Sequence, residues 1–198
     1  MMTKESFRRA GVIVLTLILA ASAVEAGELQ PPLEVSSVGA RVLAARPGDS
    51  LFLVIGDRIT TARIDRAGVT SRAVNLRLSG DRIRGRVGGQ NVDLVMRGER
   101  IDGHIGAREV SLEVGRSAGA LKVNGRFGAR AVSEELAPSA ITAEVGPCRY
   151  MLKFQRNEYS GQVGCGGQPE GVRLTVPAAL VARRDVELAA LFTALLSR

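Results

Sequence analysis

A repeat of eighteen residues dominates the middle of this chain. The stretch 74–88, VNLRLSGDRIRGRVG, returns eighteen positions later as 92–106, VDLVMRGERIDGHIG. A third copy begins at Val110 and resumes after four extra residues at Val123, and a more distant copy covers 150–164. Repetition of this kind indicates that one supersecondary unit is used several times.

Each copy alternates apolar and polar residues, which is the period of a half-buried β-strand. Gly80-Asp81 and Gly98-Glu99 fit two-residue turns with glycine first. These turns place Leu76 opposite Gly85 and Leu94 opposite Gly103. Continuing across the Gly89-Gln90 step, we expect Val87 opposite Val92 and Gly85 opposite Leu94. The pattern predicts a mainly β fold, an antiparallel meander of short hairpins with one apolar face.

Leucine and glycine alternate along the inner row of this predicted sheet. The row reads Leu76, Gly85, Leu94, Gly103, Leu112 and Gly125. Glycine inside a strand often marks a bend or a close approach of another backbone. We therefore expect a strongly coiled sheet, closed into a small barrel or open as a half-barrel.

The outer face of the same sheet carries charged side chains. The candidate surface strip comprises Arg84, Arg86, Asp93, His104 and Arg126, and the expected register sets Arg86 beside Asp93 as a cross-strand ion pair. One interpretation is a solvated face that keeps the sheet soluble. The other is a strip that binds an anion or a glycan.

The two cysteines fall opposite each other in the last hairpin. With Arg156-Asn157 as its turn, Phe154 faces Tyr159 and Cys148 faces Cys165. Directly opposed Cβ atoms lie about 4.5–5.5 Å apart, which is near disulfide range. We therefore expect a structural Cys148–Cys165 disulfide, in keeping with an oxidising compartment.

The two ends of the chain differ from the repeat region. Residues 1–26 have the basic start, apolar stretch and small-residue cleavage site of a secretory signal peptide, with Gly27 as the first mature residue. The expected β domain covers 27–176, with the clearest repeats in 74–132 and 148–165.

The apolar spacing in 177–198 predicts an amphipathic helix that packs over one end or face of the sheet. Its apolar positions are Leu188, Leu191, Phe192, Leu195 and Leu196.

The composition of the chain excludes some classes of function but assigns none. The 198 residues carry a formal charge of +7, one His and no Trp, which excludes a His-rich metal centre. We expect no cofactor, no metal and no transmembrane span after signal cleavage. Basic residues without interleaved aromatics argue against nucleic acid. Export would place the protein in the periplasm or outside the cell.

The leading hypothesis is a non-enzymatic binding or scaffolding module of the envelope or extracellular space. It would use the Arg-rich outer sheet face or strand edges to engage an envelope protein, an anionic glycan or a lipid headgroup. The first alternative is a carrier of a small apolar ligand in a barrel-like cavity. The second is a hydrolase with an unrecognised site, for which His104, Ser111 and Asp93 are the available side chains on neighbouring strands.

Overall fold

A computed structural model describes residues 43–197. The signal peptide expected over 1–26 lies outside the described residues, as do the first residues of the expected mature chain. Fourteen strands form one closed antiparallel barrel in which each strand pairs with its neighbours in the chain and β1 pairs with β14. The strands are β1 (Ser50–Ile55), β2 (Arg58–Asp65), β3 (Gly68–Thr70), β4 (Val74–Ser79), β5 (Arg82–Val87), β6 (Gln90–Arg97), β7 (Arg100–Ile105), β8 (Arg108–Ser117), β9 (Ala120–Phe127), β10 (Arg130–Leu136), β11 (Ala140–Val145), β12 (Cys148–Gln155), β13 (Glu158–Gly164) and β14 (Glu170–Thr175). The predicted mainly β meander of hairpins is confirmed, and its closure into a barrel is settled.

The register within each repeated hairpin is confirmed. Leu76 lies opposite Gly85, and Leu94 lies opposite Gly103. In the last hairpin Phe154 lies opposite Tyr159, and both Arg156 and Asn157 adopt positive φ in the turn. The turn residues therefore set the pairing of the two strands that they join.

The register predicted between the first two hairpins was wrong by two residues. Val87 pairs with Gln90, and Gly85 pairs with Val92 rather than with Leu94. The turn is Gly88-Gly89, where φ is +56° and +82°. A two-residue turn with positive φ at both positions suits a glycine pair. The continuous inner row of alternating leucine and glycine is consequently broken between hairpins, although it holds within them.

The inward-facing strand glycines allow neighbouring backbones to approach closely. A Cβ built on Gly103 would lie 2.1 Å from the carbonyl oxygen of Asp93 across the strand pair, and the φ of Gly103 is +146°. The same close approach to a facing carbonyl oxygen occurs at Gly85, Gly125 and Gly161. These glycines therefore permit the tight coiling that the sequence suggested.

The C-terminal helix is buried on all sides within the barrel. A short helix α1 (Ala178–Val181) follows β14, and α2 (Asp185–Leu196) then packs against strands β5 to β9. The apolar positions that predicted the helix are buried, but so are Ala189, Ala190, Thr193 and Ala194 on its other faces. The helix is therefore confirmed, whereas its expected position over one end or face is replaced by a position in the lumen.

Polar contacts hold α2 at both ends. We call the rim that carries the Gly80 and Gly98 turns the upper rim, and the opposite one the lower rim. At the upper rim Asp185 forms an ion pair with Arg116 at the end of β8. Toward the lower rim the Tyr150 hydroxyl donates a hydrogen bond of 2.9 Å to the carbonyl oxygen of Leu196. The helix thus runs through the lumen from the upper rim to the lower one.

One ionisable side chain lies between α2 and the barrel wall. Glu134 on β10 is 2% exposed, and Thr193 Oγ1 donates a hydrogen bond of 2.7 Å to its Oε1. Within the part of the chain that the structure describes, Oε2 of Glu134 has no hydrogen-bond partner. Burial raises the pKa of Glu134 to about 7, against an opposing contribution from the Thr193 hydrogen bond.

The disulfide of the structure is compatible with export. Cys148 and Cys165 form this bond, and neither is free. A stable disulfide is typical of oxidising compartments outside the cytosol.

In the range 43–197 no helix has the length and apolar character needed to cross a membrane.

We expect Gly103→Ala to destabilise the barrel by several kcal/mol, because the added methyl meets a backbone oxygen and the φ of +146° suits only glycine. Gly115→Ala on β8 is the matched control, since a Cβ there meets nothing within 4 Å. Urea unfolding of both variants measures the difference. Equal loss of stability in the two would show that close backbone approach at Gly103 is not a constraint.

Glu134 should make the stability of the barrel depend on pH. Its carboxyl binds a proton more tightly in the folded protein, with a pKa of about 7 against an ordinary 4.5. The free energy of unfolding should therefore fall as pH rises from about 4.5 through about 7, by on the order of 3 kcal/mol.

Glu134→Gln should remove this pH-dependent loss, because the amide does not ionise. Glu135→Gln changes the neighbouring exposed carboxylate and should keep it. Chemical unfolding at several pH values compares the slopes of the three proteins. Parallel slopes for the wild type and Glu134→Gln would contradict the assignment.

Candidate anion-binding surface

Four arginines lie together on the outer face of β4 and β5. Arg82, Arg84 and Arg86 alternate along β5 and point away from the lumen, and Arg77 on β4 is directly opposite Arg84. We call Arg77, Arg82, Arg84 and Arg86 the arginine cluster. Period-two alternation puts every second side chain of one strand on one face, which explains why β5 presents three guanidinium groups together.

Asp93 on β6 is the carboxylate that faces this cluster. Arg82 donates two hydrogen bonds to it, Nε to Oδ1 at 2.7 Å and an Nη atom to Oδ2 at 2.8 Å. Arg84 Nε lies 3.5 Å from Oδ2. The Arg82 hydrogen bonds are the main reason that the pKa of Asp93 is lowered. Asp93 thus stays ionised and balances one of the four positive charges.

Arg77 and Arg84 form a like-charge pair across β4 and β5. Like charges directly opposite each other in a sheet are unfavourable. Arg77 is exposed, and no carboxylate oxygen of residues 43–197 lies within ion-pair distance of its guanidinium. An anion bound between these side chains would offset their repulsion, so the cluster is chemically suited to a carboxylate, sulfate or phosphate group.

Three members of the predicted strip are neighbours in one row. Arg84 lies opposite Asp93, and Asp93 lies opposite His104 on β7. Arg86 does not lie beside Asp93, because the two-residue shift at the Gly88-Gly89 turn sets it opposite Asn91. Arg86 Nε donates a hydrogen bond of 3.0 Å to Asn91 Oδ1.

Arg126 is separate from that row. It lies on β9 opposite Ser111, whereas His104 lies opposite Glu109. The sequence strip also missed Arg77 and Arg82, although both alternate with buried positions in the first repeat copy. Counting all outward positions of that copy, rather than one expected row, would have found them.

The side chains considered for a hydrolase have other partners than a catalytic set would need. Ser111 Oγ donates a hydrogen bond of 3.0 Å to Asp102 Oδ1. His104 pairs with Glu109 on the neighbouring strand rather than with Ser111. The expected neighbour relation of His104 and Ser111 was therefore wrong, for the same reason as the Arg86 pairing: the turn between hairpins begins earlier than expected.

A cavity of about 530 Å³ opens at the lower rim. Its walls include Ile55, Tyr150, Val163 and the Cys148–Cys165 disulfide. Arg58 and Glu170 also line it and form an ion pair of 3.0 Å. The cavity has the volume of a small-molecule site, but it occupies the mouth of the barrel, since α2 lies in the lumen.

Thiol labelling tests the disulfide directly. Protein unfolded without a reductant should show no reactive thiol, because both cysteines are in the bond. After reduction both should react, and Cys148→Ser should leave Cys165 as one reactive thiol without reductant. Two reactive thiols in unreduced, freshly isolated protein would contradict the bond.

Comparison of the chain with protein-family models, with curated proteins and with solved structures gives no match.

Proposed function

We propose that this protein is an exported, non-enzymatic binding module that presents the arginine cluster to an anionic partner in the envelope or outside the cell. The observation that carries the proposal is the arrangement on β4 and β5, where four arginines share one outer face and only Arg82 and Arg84 contact a carboxylate, that of Asp93. Two of these arginines, Arg77 and Arg84, are directly opposed without a carboxylate between them.

The barrel architecture favours the outer face as the working surface. The lumen contains α2, whose residues are buried from Leu188 to Leu196. Closure through the β1–β14 pair removes the two free edges that an open sheet would have. The backbone that carries these arginines is already ordered in paired strands, so binding would cost the ordering of their side chains but not of the chain itself.

Export is supported by two independent features. The first 26 residues have the composition of a secretory signal peptide, and the Cys148–Cys165 disulfide suits an oxidising compartment. Periplasmic or extracellular residence would bring the arginine cluster to envelope proteins, anionic glycans and lipid headgroups.

Transport of a small apolar ligand is a second candidate function. The lower-rim cavity favours it, because Ile55, Tyr150 and Val163 supply an apolar wall. Such a ligand would sit at the mouth of the barrel beside the Arg58–Glu170 ion pair. Unlike partners of the arginine cluster, it would be released by organic extraction and not by salt.

Binding to immobilised heparin, used as a polyanionic probe, tests the leading proposal. The Arg84→Gln/Arg86→Gln double variant should elute at distinctly lower salt than the wild type, because ionic attraction to the cluster is weakened. Lys153→Gln/Arg173→Gln removes the same charge from outer positions on β12 and β14. That control should elute close to the wild type.

The two double variants separate a site from net charge. If both double variants elute at equally lowered salt, the overall positive charge binds the protein to heparin, which contradicts a defined cluster.

Native mass spectrometry of the same preparation tests the second candidate function. A bound apolar molecule that is lost when Val163→Trp fills the cavity would favour transport.

A further inference from the structure

The outer face of the β4–β5 hairpin carries hydrogen-bond donors and no carboxylate. Arg77 lies directly opposite Arg84, and Asn75 on β4 lies opposite Arg86. Asn75 and Ser79 flank Arg77 on the same face, since all three alternate with inward-facing residues of β4. These side chains are exposed, so an anion placed against Arg77 can accept hydrogen bonds from both strands.

The side of Arg77 that faces β3 is open. Its partner on β3 is Gly68, which has no side chain, and Asp65 on β2 is the next residue of that row. Oδ1 of Asp65 accepts hydrogen bonds of 2.8 and 3.0 Å from the backbone N–H groups of Ala67 and Gly68. That carboxylate therefore serves the β2–β3 turn, and within residues 43–197 the Arg77 guanidinium has no hydrogen-bond or ion-pair partner.

Asp93 shows how a carboxylate is bound on this face. The guanidinium of Arg82 alone meets both of its oxygens, at 2.7 and 2.8 Å. Arg84 reaches Oδ2 at 3.5 Å. The two oxygens of a planar carboxylate match one bidentate arginine. Arg77 and Arg84 present two guanidinium groups from facing strands, so their best partner is an anion with more oxygens and more charge than a carboxylate.

A phosphate monoester has both properties. It carries about 1.5 to 2 negative charges near neutral pH and three terminal oxygens that accept strong hydrogen bonds. Different edges of its tetrahedron can face the two guanidinium groups, and bidentate arginine–phosphate pairs are among the strongest hydrogen-bonded contacts. A phosphodiester has a single charge and only a pair of terminal oxygens, so it resembles the carboxylate instead.

We propose that the Arg77–Arg84 pair is a site for a phosphate monoester group, bound between β4 and β5. Each guanidinium would donate to a different edge of the phosphate, and the Asn75 amide would donate to a remaining oxygen. This inference rests on the proposed function and specifies the chemical class of the anionic partner. The monoester could belong to a lipid headgroup or to a soluble or glycan-borne ester, and the experiment distinguishes these sources.

Vesicle binding tests the selectivity of the site. Phosphatidylcholine vesicles are prepared with phosphatidic acid, phosphatidylglycerol or cholesteryl hemisuccinate, which present a monoester, a diester and a carboxylate, and are adjusted to equal zeta potential. In co-sedimentation the wild-type protein should bind the phosphatidic acid vesicles with a Kd about tenfold lower than the other two, because both arginines pair with the monoester. The remote variant Lys153→Gln/Arg173→Gln should keep that ratio.

Arg77→Lys/Arg84→Lys separates guanidinium geometry from charge. The variant keeps both positive charges but replaces each planar fork of donors by a compact ammonium. It should bind the three kinds of vesicle with similar Kd values, and its circular dichroism should match the wild type because both positions are exposed. A preference for phosphatidic acid that persists in this variant, or no preference in the wild type, would overturn the proposal.

Phenyl phosphate identifies the source of the monoester. If it displaces the wild type from phosphatidic acid vesicles better than acetate at the same ionic strength, the site takes soluble and glycan-borne esters. Selective vesicle binding that phenyl phosphate does not displace assigns the site to a lipid headgroup.

Failure of this inference differs from failure of the proposed function. Retention on heparin that depends on the arginine cluster, without any preference for the monoester, would overturn only the phosphate site. Unchanged heparin elution of Arg84→Gln/Arg86→Gln would overturn the cluster as an anion-binding surface, and the phosphate site with it.

Discussion

The filling of the barrel lumen by α2 is the constraint on which the rest of this structure depends. A sheet closed from fourteen strands encloses more space than its own inward side chains fill. Protein interiors are close-packed, so that space needs apolar atoms. The run from Val186 to Leu196 supplies them, with leucine and phenylalanine on one side and alanine on the other. Thr193, the fully buried polar residue of this run, donates a hydrogen bond to Glu134, so the polar group on the helix and the polar group on the wall meet.

Closure also depends on residues that lack a side chain. Gly85, Gly103, Gly125 and Gly161 occupy inward positions in the strands, each against a facing carbonyl oxygen. A methyl group there would push the paired backbones apart. The repeat therefore encodes both the strand length and the coiling of the sheet, because its glycine recurs at the same place in each copy.

Much of this fold could be predicted from the sequence. The pairing register between successive hairpins was predicted wrongly, and the reason is physical. Within a hairpin the turn residues fix the register, so Leu94 was correctly placed opposite Gly103. Between hairpins, Gly88-Gly89 and Gly89-Gln90 both offer a two-residue turn. A slip of two residues leaves every side chain on its own face, so alternation cannot choose between registers. The same degeneracy misplaced the partners of Arg86 and His104. Burial of α2 on all its faces could not be predicted either, because small alanines on its second face give no strong periodic hydrophobic signal.

The arginine cluster follows from the strand period of the same barrel. Alternation sends Arg82, Arg84 and Arg86 to the outer face of β5, while Ile83 and Val87 stay in the core. Arg77 lies opposite Arg84 on β4, so the register of the hairpin brings a fourth positive charge to the same face. Because α2 fills the lumen, a partner would meet these guanidinium groups on the outside of the barrel. Charge complementarity discriminates between partners, so the cluster would select anionic ones.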